Sequence, residues 1–340
     1  MALPPGPAGM DGRCGPFETL SRGAYTVENN TWGAYQVSAY RQCVYAAPEF
    51  ATGPRFAWTW DYPAELPDEV KAFPELIHGK KPWAWTSTTP RLPRPVSPAP
   101  SLRVDFAART EGTGRYNAAF EIWLTRSPVA GGEPDVSHEV MFWVGQAGDP
   151  SPVGLQAGTV TLADGRPCDL WLGRIKTWDY FGFVFHRPIS EGVLECGYYL
   201  DYLLRRGYLP ADVYIASLEF GNEIWHGSGR TVIDRYEVTV ADAPPVLPPR
   251  PALDPDRAYI RLDVPAAALV FVENVLMRST SARRLFRSPP IERDRDHVYR
   301  IRAVDGPREE TREVVVRAGA VTAVSFANLG GTGIGKNHGV

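Results

Sequence analysis

The sequence predicts an all-β protein, a two-sheet jelly-roll β-sandwich with one short helix, followed by a small C-terminal β-sandwich domain. The 340 residues include 32 Gly and 32 Pro, which favour turns. They also include 10 Trp and 15 Tyr, which favour strands. Between the turns, short segments alternate apolar and polar residues with the period of two that is typical of half-buried strands.

Strand-like segments follow one another through the first 240 residues. They are 24–27, 34–45, 56–60, 102–107, 117–124, 139–144, 159–162, 168–172, 180–186, 213–223 and 234–240. One segment, 194–206, has apolar residues at steps of three and four, which predicts a helix that Gly207 can end. Many short strands with a single helix indicate two packed sheets.

Changes in composition divide the chain into five parts. We expect a disordered N-terminus at 1–13, a jelly roll at 14–242, an extended Pro-rich linker at 243–256, a small β-sandwich domain at 257–328 and a flexible tail at 329–340. The strands expected in the small domain are 258–264, 269–272, 298–303, 313–316 and 322–326.

Charge and cysteine content exclude several classes of protein. The net charge of −3 gives no basic surface for nucleic acid, and no apolar run of about 20 residues is present to span a membrane. The four cysteines are widely spaced and lack the CxxC pairs of zinc sites, so disulfides in an oxidising compartment fit better. We expect a secreted protein whose signal peptide lies outside the printed sequence.

Three predicted strands each place an acid beside an aromatic residue on one face. Alternation puts Glu139, Met141 and Trp143 on one face of their strand, and Val140 and Phe142 on the core face. The same reasoning groups Glu219, Gly221, Glu223 and Trp225 on a second strand, and Ala119, Glu121 and Trp123 on a third. A single glutamate of this kind is usually a solvated strand residue. Three together favour a carbohydrate site, because glycosidic cleavage uses two carboxyl groups and aromatic rings stack on sugars.

The run from Ala24 to Asp242, about two-thirds of the chain, resembles glycoside hydrolase family 12, and five segments within it resemble the motifs of that family in family order. They are AYTVENNTWG (24–33), FPELIHGKKPW (73–83), YNAAFEIWL (116–124), EVMFWVGQAGDPSPVG (139–154) and LEFGNEIWHGSG (218–229). The resemblance implies a jelly roll with an open substrate cleft and cleavage that retains the anomeric configuration. It implies that Glu139 is the nucleophile and Glu223 the general acid/base.

The resemblance also implies roles for further residues. Asn30 and Trp32 would bind sugar on the minus side, and Met141, Trp143 and Pro152 would line the cleft. Trp83 and Trp225 are further candidates for stacking. Glu121 stands where the family usually has an aspartate that is hydrogen-bonded to the nucleophile, so we expect Glu121 to assist Glu139. Cys14 and Cys43 match a disulfide of some family members, and the two remaining cysteines give a second candidate pair, Cys168–Cys196.

The resulting hypothesis is a retaining endo-β-1,4-glucanase that cuts cellulose or mixed-linkage β-glucan. Two alternatives remain open, a xyloglucan-specific endo-β-1,4-glucanase and a polysaccharide-binding jelly roll without catalysis. We expect no metal and no cofactor, a β-glucan polysaccharide as the partner, no nucleic acid and a monomer.

The C-terminal segment 260–291 (IRLDVPAAALVFVENVLMRSTSARRLFRSPPI) resembles a PEGA-like small β-sandwich of secreted bacterial proteins. Two roles remain open for this domain, a structural appendage that serves spacing or surface attachment and a carbohydrate-binding module. The segment contains no Trp, which favours the appendage.

Overall fold

A computed structural model describes residues 6–48, 55–129, 131–162, 164–242, 255–265, 267–277, 283–326 and 329. The chain divides into two compact units, Met1–Pro248 and Pro249–Val340, each with its own hydrophobic core. The predicted linker at 243–256 and the predicted tail at 329–340 lie almost wholly outside the described residues. Within the described part of the chain, no helix is long and apolar enough to cross a membrane.

The first unit consists of strands, with one α-helix and two 3-10 turns in the part that the structure describes. The strands are β1 (Asp11–Arg13), β2 (Thr19–Arg22), β3 (Tyr25–Glu28), β4 (Arg41–Ala46), β5 (Phe56–Tyr62), β6 (Glu75–Gly79), β7 (Arg94–Pro95), β8 (Ser101–Gly112), β9 (Arg115–Thr125), β10 (Val136–Ala147), β11 (Leu155–Thr161), β12 (Pro167–Ile175), β13 (Trp178–Phe185), β14 (Glu191–Glu195), β15 (Tyr214–Gly221) and β16 (Ile224–Ala241). Helix α1 spans Cys196–Arg205, and the 3-10 turns span Ala34–Gln36 and Glu133–Asp135.

These strands form two sheets, which confirms the predicted all-β sandwich. The first sheet has the order β1-β4-β5-β16-β8-β14. The second has the order β2-β3-β6-β15-β9-β10-β13-β12-β11, with β7 beside the start of β15. The long strand β16 joins them, because its first residues pair with β9 and its later ones with β5 and β8.

One face of the second sheet is buried in the main core, as alternation predicted. Val140 and Phe142 of β10 lie in this core, as do Phe120 and Ile122 of β9. The phenyl rings of Phe106 and Phe120 meet edge to face at 4.8 Å, an arrangement that stabilises aromatic pairs. The opposite face of the second sheet is therefore free to carry the functional groups described below.

Helix α1 begins two residues later than predicted, because 191–195 pair with β8 as strand β14. The carboxylate of Glu195 caps the helix by accepting from the Gly197 amide at 3.2 Å. Gly207, with a φ of +72°, follows the end of the helix as predicted. Tyr199, Leu200 and Leu203 then pack their apolar side chains into the core.

Two predicted strands have different bounds in the structure. The segment 34–45 begins as a 3-10 turn at Ala34–Gln36, and only Arg41–Ala46 forms a strand. The amide of Gly33 is bonded to the Lys71 carbonyl at 2.9 Å, which anchors this turn. The segment 213–223 ends as a strand at Gly221, and Glu223 lies in the short break before β16.

The N-terminal region is more ordered than the sequence suggested. Residues 11–13 form β1, which pairs with β4, and Asp11 accepts a hydrogen bond from Arg22 at 2.5 Å. The prediction of disorder was therefore wrong for 11–13, while residues 1–5 lie outside the described part. A disulfide joins Cys14 to Cys43.

The second disulfide predicted from the sequence, Cys168–Cys196, is not formed. Both residues are free thiols buried in the main core. The sulfur of Cys168 faces its own hairpin and donates to the Val160 carbonyl at 3.6 Å. An even number of cysteines gave that prediction, but pairing requires the sulfur atoms to face each other.

The second unit is a small two-sheet β-sandwich, also as predicted. Its strands are β17 (Tyr259–Asp263), β18 (Leu269–Val272), β19 (Val275–Leu276), β20 (Arg283–Arg287), β21 (His297–Asp305), β22 (Arg308–Val316) and β23 (Val321–Ser325). The sheets have the orders β20-β17-β23 and β19-β18-β21-β22. Leu329, which the sequence assigned to the flexible tail, belongs to the buried core of this unit.

Candidate active site

Glu139 lies on β10 and faces away from the main core, with 5% of its surface exposed. Its neighbour β13 runs parallel to β10 and begins at Trp178. The indole Nε1 of Trp178 donates to Oε2 of Glu139 at 2.8 Å. Burial raises the pKa of Glu139 to about 7, while the hydrogen bonds from Trp178 and Glu121 oppose this rise by favouring the charged form.

Glu223 is held by Asn117 of β9 through three hydrogen bonds. The Asn117 side-chain amide donates to the Glu223 carboxylate, and the Asn117 side-chain oxygen accepts from the Glu223 amide at 2.9 Å. The backbone N–H of Asn117 donates to the backbone carbonyl of Glu223 at 3.0 Å. Burial, followed by the nearby charge of Glu139, raises the pKa of Glu223 to about 8. Glu139 therefore ionises before Glu223 does.

Glu121 lies beside the nucleophile candidate, on the adjacent strand. It stands opposite Met141 of β10 and opposite Glu219 of β15. Burial, followed by the charges of Glu139 and Glu219, raises the pKa of Glu121 well above its ordinary range. A hydrogen bond between the Glu121 and Glu139 carboxyl groups favours the proton on Glu121 and the negative charge on Glu139. The longer side chain of glutamate, compared with the usual aspartate, therefore reaches the carboxyl group of Glu139.

Glu121 belongs to a line of acids that crosses five neighbouring strands, which we term the carboxyl row. Its members are Glu28 of β3, Glu75 of β6, Glu219 of β15, Glu121 of β9 and Glu139 of β10. Oxygens of Glu75, Glu121 and Glu219 lie within 4.8 Å of one another, a spacing that a cation could occupy. The ammonium of Lys81 supplies a positive charge there, since it lies 2.5 Å from Glu75 and 2.8 Å from Glu28.

A buried aromatic cluster lies on the same face as the two glutamates. It contains Phe73, Ala119, Met141, Trp143, Tyr180 and Trp225. The rings of Trp143 and Trp225 meet edge to face at 6.3 Å, and the Arg115 guanidinium lies 5.4 Å from the centre of the Trp225 ring. The predicted cleft residues Met141, Trp143 and Trp225 are therefore brought together.

A second series of indole rings leads from Glu139 towards the surface. Trp178, which bonds Glu139, contacts Trp123 at a ring distance of 5.7 Å, and Trp123 contacts Trp83 at 5.1 Å. Trp83 is 46% exposed and Trp32 is 50% exposed. Exposed indoles of this kind offer apolar faces on which sugar rings can stack.

Two predicted subsite residues are placed differently from the others. The side-chain amide of Asn30 donates to Glu75 at 2.9 Å, so this group is engaged within the carboxyl row. The Asn30 side-chain oxygen accepts from the Trp32 amide at 3.3 Å and thereby fixes the turn that carries Trp32. Pro152 lies half-buried in the connection between β10 and β11, and its contact with substrate stays a prediction.

Several residues of the site were not identified as such from the sequence. Asn117, which orients Glu223, could have been found by extending the alternation of 119, 121 and 123 back by two residues. Trp178 was not identified from the sequence as the donor to Glu139. Glu75 joins the site through strand register, which the sequence pattern does not specify, and Lys81, which follows β6, joins it through its ion pairs with Glu75 and Glu28.

A buried glutamate and a half-buried one, each with its own hydrogen-bond donor and both near indole rings, form the pair of carboxyl groups that glycoside hydrolases use. Residues 23–241 match the sequence profile described as Glycosyl hydrolase family 12. The chain belongs to this family. The match covers the whole second sheet from β3 onwards and ends with β16.

Individual relatives agree with this assignment. The chain is 28% identical over 225 residues to Endoglucanase S of Pectobacterium parmentieri, an alignment that covers 64% of this chain and 81% of the relative. It is 26% identical over 234 residues to the xyloglucan-specific endo-β-1,4-glucanase A of Emericella nidulans, covering 67% and 90%. The solved structure of a native family 12 xyloglucanase from Bacillus licheniformis matches with a TM-score of 0.63 and 26% identity, covering 68% and 100%.

Proposed function

We propose that the protein is a retaining endo-β-1,4-glucanase in which Glu139 is the nucleophile and Glu223 the general acid/base. The observation that carries this proposal is the different environment of the two carboxyl groups, of which Glu139 is buried and Glu223 half-buried. Glu139 accepts hydrogen bonds from Trp178 and Glu121, whereas Glu223 accepts one from Asn117 and is further destabilised as an anion by Glu139. One carboxyl is thus ionised while the other still holds its proton, as double displacement requires.

In the first step, the Glu139 carboxylate attacks the anomeric carbon and forms a glycosyl-enzyme ester. Glu223 gives its proton to the glycosidic oxygen as the bond to the leaving sugar breaks. In the second step, Glu223 takes a proton from a water molecule, which attacks the anomeric carbon and releases Glu139. Each step inverts the anomeric carbon, so the product keeps the configuration of the substrate.

Glu121 assists the nucleophile by its hydrogen bond. The bond favours the charged form of Glu139 before attack, and it orients the carboxylate towards the substrate. On the glycone side we assign sugar stacking to Trp32 and Trp83, which are half-exposed, with Asn30 fixing the turn that holds Trp32. Trp143, Met141, Pro152 and Trp225 line the cleft around the cleavage point.

The substrate is a β-1,4-glucan, either cellulose or mixed-linkage β-glucan. Xyloglucan is the second candidate, because the relatives include a xyloglucan-specific endo-β-1,4-glucanase and the matching solved structure is a xyloglucanase. The unbranched polymers and xyloglucan differ in the side sugars that the cleft must admit. Activity on the three polymers therefore separates the candidates.

The test measures reducing-sugar release from barley β-glucan, carboxymethyl cellulose and tamarind xyloglucan. We expect the wild type to cut at least one of them and Glu139→Gln to lose about a thousandfold or more in rate. The control is Glu111→Gln, which changes an exposed carboxylate of β8 that pairs with Arg230. Proton NMR of the first product should show the β anomer. A wild type that binds the polymers without cutting them would indicate a polysaccharide-binding protein instead.

We further propose that the protein is secreted and acts as a monomer. The Cys14–Cys43 disulfide supports an oxidising compartment. The C-terminal unit resembles a PEGA-like domain, and we assign it the role of a structural appendage, because its sequence contains no Trp for stacking on sugars. Size-exclusion chromatography with light scattering tests the oligomeric state, and a pull-down of the second unit, residues 249–340, on insoluble glucan tests the appendage.

A further inference from the structure

The carboxyl row is continuous from the edge of the site to the nucleophile. Glu28 stands directly opposite Glu75, and Glu219 stands directly opposite Glu121. Glu75, Glu121 and Glu219 are at most 5% exposed. Strand register therefore places these carboxyl groups side by side, away from water.

The members of the row have different partners. The Glu75 carboxyl group lies 2.5 Å from the Lys81 ammonium and accepts a hydrogen bond from the Asn30 side-chain amide at 2.9 Å. A hydrogen bond between Glu219 and Glu75 favours the proton on Glu219, which also accepts from Ser217 at 2.7 Å. Burial, followed by the charge of Glu75, raises the pKa of Glu219 well above its ordinary range. At the other end, Glu121 donates to Glu139.

We propose that Lys81, Glu75 and Glu219 are positioning residues that direct the proton of Glu121 onto the nucleophile. The proposal rests on the proposed function and names residues that act on Glu139 only through Glu121. Glu121 has two carboxyl neighbours, and it donates to the one that is ionised. The Lys81 ammonium stabilises a negative charge on Glu75, and this charge keeps Glu219 protonated. Glu139 is then the charged carboxyl group beside Glu121 and accepts its hydrogen bond.

Three further groups lie at the two ends of the series that runs from Glu75 to Glu139. Glu28, the outermost member of the row, shares the Lys81 ammonium at 2.8 Å and is partly exposed. Glu223 and the Tyr180 hydroxyl face the Glu139 end from the break before β16 and from β13. None of these three groups lies between Glu219 and Glu121, where strands β15 and β9 place the two carboxyls in direct register. The choice of acceptor is therefore made within the row.

Glu75→Gln tests the proposal. Without the Glu75 charge, Lys81 stabilises Glu219 as the anion, and Glu121 then donates to Glu219 instead of Glu139. Losing that hydrogen bond raises the pKa of Glu139 by about one unit. We therefore expect the acid limb of the reaction to move by about one pH unit to higher pH. In the double variant Glu75→Gln/Glu219→Gln no charged competitor remains, so the limb should return towards its wild-type position.

The readout is the pH dependence of covalent inactivation by a fluorinated cellobioside with a dinitrophenolate leaving group. This leaving group departs without protonation, so the rate reports the ionisation of Glu139 and not that of Glu223. If the acid limb of the Glu75→Gln variant lies at the wild-type pH, the proposal is overturned. It is also overturned if the acid limb of the double variant stays at the higher pH, because the effect of Glu75→Gln is then merely structural. A wild type that is neither inactivated nor hydrolytic contradicts the proposed function itself.

A measurement on the protonation state of Glu219 does not depend on the folding of Glu75→Gln. At a pH where exposed carboxyls are ionised, the infrared spectrum of the wild type should contain the carbonyl band of protonated carboxyls. We expect Glu219→Gln to weaken this band. A band of unchanged intensity shows that Glu219 carries no proton, and it overturns the proposal.

Discussion

At the scale of single residues, the order of ionisation in the site follows from which donor each glutamate has. Burial raises the pKa values of both Glu139 and Glu223. Glu139 accepts hydrogen bonds from Trp178 and Glu121, and both bonds stabilise its charged form. Glu223 accepts one hydrogen bond from the Asn117 side-chain amide, and the negative charge of Glu139 destabilises its charged form. Glu223 therefore keeps its proton to a higher pH than Glu139 does. The uncharged donors around each carboxyl group thus decide which one is the nucleophile and which one is the acid.

Removal of the Asn117 side chain should shift the pH profile in one direction. The Asn117 amide favours the charged form of Glu223 and lowers its pKa, so Asn117→Ala should raise that pKa above about 8. Since Glu223 must start protonated, the alkaline limb of kcat/KM should move to higher pH. We also expect kcat/KM at the optimum to fall about tenfold, the size of one hydrogen bond to a charged group.

The measurement is the pH profile on the polymer that the wild type cuts best. Ser228→Ala is the control, since this hydroxyl donates to Asp61 on the first sheet and touches neither glutamate. A limb that moves to lower pH, or moves equally in the control, contradicts the assignment of Glu223 as the acid.

At the scale of elements, alternation predicted which face of each strand carries the acids. Glu139, Met141 and Trp143 do lie opposite the core, as does Glu121. Alternation along one strand is a local property, so the sequence suffices for it. The register between strands is not local, and this is why the carboxyl row was not predicted.

The break between β15 and β16 shows another limit of the sequence. Glu223 was predicted at the end of a continuous strand, but the strand ends at Gly221 and Asn222 follows it. The Asn222 side-chain oxygen accepts from Trp58 at 2.6 Å and from Thr231 at 2.6 Å, both contacts with the first sheet. The chain therefore crosses between sheets beside the acid/base residue, and only the tertiary fold determines that point.

Gly221, which ends β15, is predicted to be required for packing and for the shape of the cleft. A Cβ atom at this position would lie 2.7 Å from the Pro74 carbonyl and 2.8 Å from the Phe73 ring. Gly221→Ala should therefore lower the free energy of unfolding by about 1–3 kcal/mol through overpacking. Displacement of Phe73, a member of the aromatic cluster, should also raise KM. Urea unfolding and steady-state kinetics measure both effects.

Gly131→Ala is the matched control, because a Cβ atom there meets nothing within 4 Å. It should leave the free energy of unfolding within about 0.5 kcal/mol of the wild type. Equal stabilities of the Gly221 and Gly131 variants would show that the backbone around Pro74 gives way easily.

At the scale of the whole molecule, the two units are stabilised separately. Each has its own core, and all residues assigned to catalysis belong to the first. The disulfide lies in the first unit as well, where it ties the chain before β2 to β4. A disulfide that closes a loop of about 30 residues stabilises a protein by about 3–4 kcal/mol. The stability of the first unit therefore depends on a compartment that is oxidising enough to keep this bond.

The two remaining cysteines give a test of the whole fold and of its redox state. Burial raises the pKa of Cys168 to about 12 and that of Cys196 well above its ordinary range, so neither should react as a thiolate in the native protein. A disulfide-exchange reagent should therefore titrate no thiol in buffer and two thiols per chain in denaturant. Cys168→Ser should reduce the second number to one. If denatured wild type yields none, Cys168 and Cys196 are paired after all, and the prediction made from the sequence is restored.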